Sequence, residues 1–290
     1  MPPALKPTTD LANRIAAVYP ALSGAHRRVA DFVLQNPLDS ATMTIEGLAE
    51  RSSTSTATVT RFVRNLDYAG YSEFRAALSS ALKLAMAPVD GLADGRAAAG
   101  STFATLVTAL KDQAANLTEA ISTLDEAICS QVIDALLRSH RVFIVGSGAS
   151  HHVAAYLEEG LALYLEASVI FASSRVGPEH AIRHMMSSGQ NDLVLAISMP
   201  RYSRGTVELT SLAKKHGAMV IAFTDAPTSP LARIADVTLF APARNRLLPN
   251  SPSAMFALAD ALITAVARER PDAVEALREL SESLLWTFYQ

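Results

Sequence analysis

Over the first 87 residues apolar positions recur at the three- and four-residue intervals of an α-helix, in blocks that reset at polar or proline-containing breaks. Five short helices are predicted, over about 10–19, 24–35, 44–51, 56–66 and 72–85. In the second, Val29, Phe32 and Val33 share a face, Ser23 can cap the start, and Asn36-Pro37 ends it. The run "APVDGLADGRAAAGS" is rich in Ala, Gly and Pro and reads as a linker over 88–101. From 102 the pattern changes. Two amphipathic helices, 103–124 and 125–139, precede five apolar strand-like runs at 141–146, 168–173, 192–198, 218–224 and 236–242. Helical stretches near 149–166, 178–187, 203–216 and 228–235 separate them, and two more at 252–270 and 272–287 close the chain. Strands this uniformly apolar, alternating with helices, indicate a parallel sheet covered on both faces. The expected fold class is α/β: an all-helical domain over 1–87, then a doubly wound parallel-sheet domain over 102–290.

Within the front segment, "TIEGLAERSSTSTATVTRFV" (44–63) has its own logic. Thr44 caps a helix that turns Ile45, Leu48 and Ala49 inward. Ser55 caps the next, where Val59, Phe62, Val63 and Leu66 form an i, i+3, i+4, i+7 stripe. The opposite face displays Thr56, Thr58, Thr60, Arg61, Arg64 and Asn65. A DNA-recognition helix needs this arrangement, with short polar groups near base edges and Arg reaching guanine or phosphate. A plain helical bundle with a solvated polar face has the same spacing, so the pattern by itself leaves both readings open.

Composition narrows the class. The 290 residues suggest two domains, and no apolar run approaches the ~18 residues of a membrane span. The opening "MPPALKPTTD" lacks a signal-peptide core and reads as a frayed tail. Cys129 is the only cysteine, so no internal disulfide forms; it reads as a buried small hydrophobe in a reducing, cytoplasmic compartment. Net charge is −3, but residues 1–87 carry nine Lys/Arg against seven Asp/Glu and the rest sixteen against twenty-one. That split permits a DNA-binding front end without demonstrating one.

The run "ALSGAHRRVADFVLQNP…MTIEGLAERSSTSTATVTRFVRNLDYAGYSEFRAAL" resembles the N-terminal domain of the RpiR-type bacterial transcription regulators, most specifically in "TIEGLAE", "TATVTRF" and "GYSEFR". The resemblance implies a helix-turn-helix that reads double-stranded DNA through Ser55, Thr56, Thr58, Thr60, Arg61, Arg64 and Asn65. Three departures stand out. Ser53 and Asp67 occupy positions where that family usually has turn glycines, and Gly47 replaces a glutamate that would complete a capping box. Asp tolerates a left-handed backbone better than Ser does, so a slightly less stable helix-turn-helix is expected.

In the back segment, "VFIVGSGASHHVA" is a strand, a glycine turn and a helix. Gly146 and Gly148 permit a tight turn, Ser147 and Ser150 add hydroxyls, and the helix start offers amides and a positive dipole to an anion. His151 stands where a dinucleotide fingerprint wants its third glycine, which argues against NAD. With "DLVLAIS", "LAKKHGAMVIAFTD", "SPLARIADVTL" and "SPSAMFALADAL", this stretch resembles the SIS (sugar isomerase) domain from about 125 to 270. The resemblance implies a phosphosugar effector held by Gly146, Ser147, Gly148 and Ser150, and by Ser198, Ser203 and Thr206 of the loop after the third strand. That loop, "SMPRYSRGT", is longer than the usual S-x-S-G-x-T and adds Arg201 and Arg204. Three roles are open to these arginines: pairing with the effector, facing another subunit, or simple solvation.

Weaker candidates have bland explanations. His151 and His152 diverge by about 100° on a helix and cannot chelate one metal. Glu179 and His180 have the chemistry of an isomerase acid/base pair but sit at an ordinary helix start after Gly-Pro. Ser251 and Ser253 read as caps of the last long helix. The expectation is a non-catalytic regulator with no cofactor and no metal, whose partners are operator DNA, a phosphosugar or related anion, and further copies of the chain. The helices at 103–124 and 252–287 are candidate surfaces for a dimer or tetramer. Two alternatives are a phosphosugar isomerase with a helical appendage and a ligand-controlled regulator of another protein.

Overall fold

The structure, a computed structural model, describes residues 10–97, 100–172 and 178–285. It divides into two compact units between Ala93 and Asp94. The expected N-terminal tail falls almost wholly outside the described residues.

The first unit is all helical: α1 (Asp10–Val18), a 3-10 turn (Tyr19–Ala21), α2 (Gly24–Gln35), α3 (Pro37–Thr42), α4 (Ile45–Arg51), α5 (Thr56–Asn65) and most of α6 (Tyr71–Ala97), whose last four residues lie past the boundary. Ser23 caps α2 through the His26 amide. Asn36-Pro37 does stop α2, but Pro37 then opens α3, a short helix the sequence reading missed. Proline suits the first helical position, where the missing N–H has no acceptor to lose. The core gathers Leu11, Ile15, Val29, Val33, Leu48, Val59, Phe62, Val63, Leu66, Phe74 and Leu78. The linker expected to begin at 88 is instead helical through Ala97. The helix runs on through Pro88, Gly91 and Gly95, so local propensity does not set its end.

The second unit begins with α7 (Thr102–Ser122), capped by Ser101, and α8 (Glu126–Arg138), capped by Asp125. There follow β1 (Arg141–Gly146), α9 (Ala149–Ala162), β2 (Ser168–Phe171), α10 (Pro178–Met186), β3 (Asp192–Ile197), α11 (Arg204–Lys215), β4 (Met219–Thr224), β5 (Val237–Phe240), α12 (Ser253–Glu269) and α13 (Ala273–Leu284). All four strand pairings are parallel, in the order β2-β1-β3-β4-β5. Every residue of β3, the central strand, is buried, with one face against each of two apolar layers. The helix expected over 228–235 is not formed; a chain of turns replaces it. Pro230 has no N–H to give, and the Ser229 hydroxyl takes the Leu231 amide and lies 2.6 Å from Thr224 Oγ1. Among the described residues no helix is long and apolar enough to cross a membrane.

At the amino edge of the sheet, Arg141 pairs with Asp192 through two bonds, of 3.0 and 2.6 Å, and Asp192 also accepts the Gly189 amide. Asp192 is nearly inaccessible, and its hydrogen bond is the main reason the Arg141 guanidinium holds its proton more tightly than usual.

Candidate functional site

Two regions bring together the residues singled out by sequence. In the first unit, α4 and α5 pack through Leu48, Ala49, Val59, Phe62 and Val63. Thr44 caps α4 through the Gly47 amide at 3.2 Å, and Ser55 caps α5 through the Thr58 amide at 3.2 Å. Both helices end in the same way. After α4, the Ser53 amide bonds to Glu50 O and the Thr54 amide to Ala49 O; after α5, the Asp67 amide bonds to Arg64 O and the Tyr68 amide to Val63 O. These are paired Schellman bonds, which require the residue after the cap to be left-handed. Ser53 is held there at φ 52° and Asp67 at φ 62°. Glycine would bear this conformation freely; serine does so at a cost.

Burial of one stripe leaves Thr56, Arg61, Arg64 and Asn65 exposed on the other face of α5. Among the described residues, neither arginine side chain forms a hydrogen bond or ion pair. Thr58 and Thr60 are only half exposed and already committed. Thr58 Oγ1 lies 3.0 Å from Ser55 Oγ, and Thr60 Oγ1 donates to Thr56 O at 2.9 Å. Asn65 Nδ2 lies 3.4 Å from His26 Nδ1, tying the end of α5 to the start of α2. Sequence reasoning missed Arg28, whose Nη2 reaches Ser53 O at 3.3 Å across the turn.

The second region lies where β1 and β3 run side by side. The chain leaves β1 toward β2 on one side, and β3 takes up the other side. At such a switch point the connecting loops part and leave a crevice at the carboxyl ends of the strands. Gly146 ends β1, and a Cβ there would lie 2.6 Å from the Ser150 carbonyl oxygen, so only glycine lets α9 start this close. Gly148 adopts φ 62° and opens α9. Across the crevice Ser203 caps α11 by accepting the Thr206 amide at 3.4 Å. Thr206 Oγ1 donates to Ser147 Oγ at 3.1 Å, joining the two loops. Two helix N-termini and a pair of hydroxyls thus converge, an arrangement that favours an anion. Ser150 and Ser198 are buried beside them. Ser198 extends the sheet through its backbone, its amide bonding to Phe223 O and its carbonyl accepting Thr224 Oγ1.

The loop between Ser198 and Ser203 is anchored at both ends. Asn250 Nδ2 holds Pro200 O at 3.0 Å, and Tyr202 OH donates to Asp225 at 2.8 Å. Burial, helped by the Asp225 carboxylate, pushes the Tyr202 hydroxyl far above its ordinary range, so it stays a donor. Arg201 is exposed at φ 67°. Arg204 turns along its own helix to Glu208 at 2.6 Å. Beside the loop, over the ends of β4 and β5, a cavity of about 910 Å³ includes Pro200, Asp225, Phe240, Asn116 and Arg244 in its walls. Sequence reasoning missed Tyr202, Asn250 and this cavity, which depend on contacts between segments far apart in the chain.

Residues 9–84 match the helix-turn-helix domain of the rpiR family, and residues 135–265 match the SIS domain. Together these spans cover more than two thirds of the chain. The chain belongs to the RpiR-type regulators. The HTH-type transcriptional regulator HexR of Pseudomonas aeruginosa is 27% identical, with 97% of each chain covered. Among solved structures, the Vibrio vulnificus NanR protein complexed with ManNAc-6P aligns over 97% of this chain and 99% of its own, at 23% identity and a TM-score of 0.59. The sugar isomerase domain of an RpiR transcription factor from Sphaerobacter thermophilus covers 61% of this chain and 97% of its own, at 28% identity and a TM-score of 0.54.

Within this RpiR-type chain the weaker candidates take structural places. His151 is buried against Phe171, ring centres 4.9 Å apart, while its neighbour His152 is exposed. Glu179 is exposed on α10, and the His180 ring rests 4.5 Å from that of His184. Burial and the neighbouring His180 lower the His184 pKa. Ser251 Oγ accepts the Ser253 amide at the start of α12. Among the described residues no three His, Cys, Asp or Glu side chains gather as a metal would need.

Proposed function

We propose that this regulator binds operator DNA through the exposed face of α5, and that a phosphosugar or similar small anion in the second unit controls that binding. Arg61, Arg64, Thr56 and Asn65 contact bases or phosphates; Ser55, Thr58 and Thr60 fix the start of the helix and line its edge. The effector phosphate sits over Ser147, Ser150, Ser203 and Thr206, at the N-termini of α9 and α11, with Gly146 and Gly148 allowing the close approach. Ser198 carries the loop on the sheet, and Arg201 stands at its exposed turn. Arg204, paired with Glu208, is the arginine a ligand would have to recruit away.

The observation that carries this reading is the Thr206–Ser147 hydrogen bond across the switch point. It makes Ser147 Oγ an acceptor and leaves its own proton for a phosphate, and a bond to a charged acceptor is worth about 1.5–3 kcal/mol. An effector regulates only if it favours one arrangement of the DNA readers over another. A single small reader gives modest affinity, so the chain works as a homo-oligomer on repeated half-sites, in the cytoplasm, with repression as the expected sign. Calorimetry with sugar phosphates and their unphosphorylated parents tests the site. Thr206→Val should weaken phosphosugar binding about tenfold or more; equal affinity for phosphorylated and parent sugars would exclude it.

A further inference from the structure

The segment 243–251, between β5 and α12, touches both the phosphate-site loop and the end of α6. Its base is closed by the Ser251 amide, which bonds to Ala243 O at 3.0 Å. Inside it, Asn245 Oδ1 accepts the Leu247 and Leu248 amides at 3.0 and 2.8 Å. A loop whose ends meet and whose own side chain ties its tip is compact. On one flank, Asn250 Nδ2 donates to Pro200 O in the loop between Ser198 and Ser203. At the tip, Leu247 Cδ2 occupies the place of the side chain that Gly95 lacks; a Cβ on Gly95 would collide with it. Gly95 lies in the last turn of α6, among the residues that belong to the second unit.

The two ends of this segment are not held alike. Asn116, buried on α7, donates to Arg244 O at 2.8 Å and fixes the start. The Arg244 and Arg246 side chains also pair with α7, but they are 65% and 72% exposed, and ion pairs so open hold little. Beyond the Asn250 bond the chain is strained. Arg201, next to Pro200, stands at φ 67°, a conformation that disfavours any residue with a Cβ. Such strain persists where the surroundings impose it, and Asn250 on Pro200 with Tyr202 on Asp225 does so here. We infer that segment 243–251 is the link between effector and DNA reader. A phosphate drawn to Ser203 and Thr206 shifts the strained turn; Pro200 O pulls on Asn250, and Leu247 passes the shift to Gly95. Helix α6 begins in the core of the DNA-binding unit, with Phe74 and Leu78. Coupling between distant sites runs through packed side chains and hydrogen bonds that have two arrangements. Asn250 and Leu247 are thus positioning residues, and this link rests on the proposed effector control.

Calorimetry and fluorescence anisotropy on the full chain test it, with wild type, Leu247→Ala and the volume-conserving Leu247→Met. Calorimetry on the wild type selects the tightest-binding member of a panel of hexose and pentose monophosphates. Anisotropy with DNA from upstream of the coding sequence gives operator affinity with and without that phosphosugar. Leu247→Ala keeps the backbone turn, so it should bind the phosphosugar, and operator in its absence, within about twofold of wild type. The change that saturating phosphosugar makes in operator affinity should fall from about fivefold or more to under about twofold. Leu247→Met should keep the full response. Asn250→Ala, at the other end of the segment, should lose the response at saturating phosphosugar whatever its own affinity. A full response in Leu247→Ala or in Asn250→Ala overturns the link and leaves effector control intact. Loss of phosphosugar binding in Leu247→Ala also overturns it, because Leu247 then belongs to the pocket. A wild type that binds operator but does not respond overturns effector control and the link together.

Discussion

Replacing Ser53 by glycine should stabilise the helix-turn-helix. Ser53 is held at φ 52° by its own amide bond to Glu50 O and by the Thr54 bond to Ala49 O. An ordinary side chain in this region costs about 1–2 kcal/mol, which glycine does not incur. Glycine's freer unfolded chain offsets roughly 0.5–1 kcal/mol of that gain. The Ser53 side chain is exposed, so its removal costs little, and the net is about 0.5–1 kcal/mol. Asp67→Gly should give less, because Asp accepts φ 62° more readily. Two units need not unfold as one, so hydrogen exchange resolved to peptides over 45–66 is the suitable assay. Wild type and Ser53→Gly are compared where exchange reports opening equilibria. Protected amides of α4 and α5 should exchange about two- to fivefold more slowly in the variant. Unchanged or faster exchange would refute the claim that the turn is strained.

Other perturbations have equally definite outcomes. Arg61→Ala and Arg64→Ala should each cost about 1–3 kcal/mol of operator affinity where the arginine reads a base, or weaken all sequences and flatten the salt dependence where it contacts phosphate; unchanged binding by the double variant removes α5 as the reader. Gly146→Ala places a Cβ 2.6 Å from Ser150 O, so α9 must shift; thermal denaturation followed by circular dichroism should show a loss of about 1–3 kcal/mol, with effector binding lost alongside. Asp192→Ala leaves Arg141 without its carboxylate; because the Arg141 side chain is 30% exposed, the loss in chemical denaturation should be roughly 2–3 kcal/mol, below that of a fully enclosed pair.

The elements with clear periodicity were legible in the sequence. β1 fell where its apolar run lay, and α5 was marked by its cap and by the stripe from Val59 to Leu66. The misses have local causes. Pro37 both stops one helix and starts another, and only the geometry of the turn distinguishes the two roles. Pro88 and the glycines after it look like a linker, yet α6 continues through Ala97, against the propensity of those residues. The 228–235 segment has helical spacing, but the Ser229 hydroxyl competes for the amide that a helix would use. In the candidate site, Ser147 and Thr206 were found from motifs, while their contact across 59 residues was not. Tyr202 and Asn250 act through partners 23 and 50 residues away, which no local pattern encodes.

The central claim is that a phosphate at the switch point between β1 and β3 governs DNA binding from the other unit. Fluorescence anisotropy with DNA from upstream of the protein's own coding sequence tests it, in the presence of a panel of sugar phosphates and their unphosphorylated parents. The account predicts that at least one phosphosugar changes operator affinity by about fivefold or more, the scale of a coupling free energy near 1 kcal/mol, while its parent sugar does not. Specific operator binding that no sugar phosphate alters, or that a parent sugar alters equally, would contradict it.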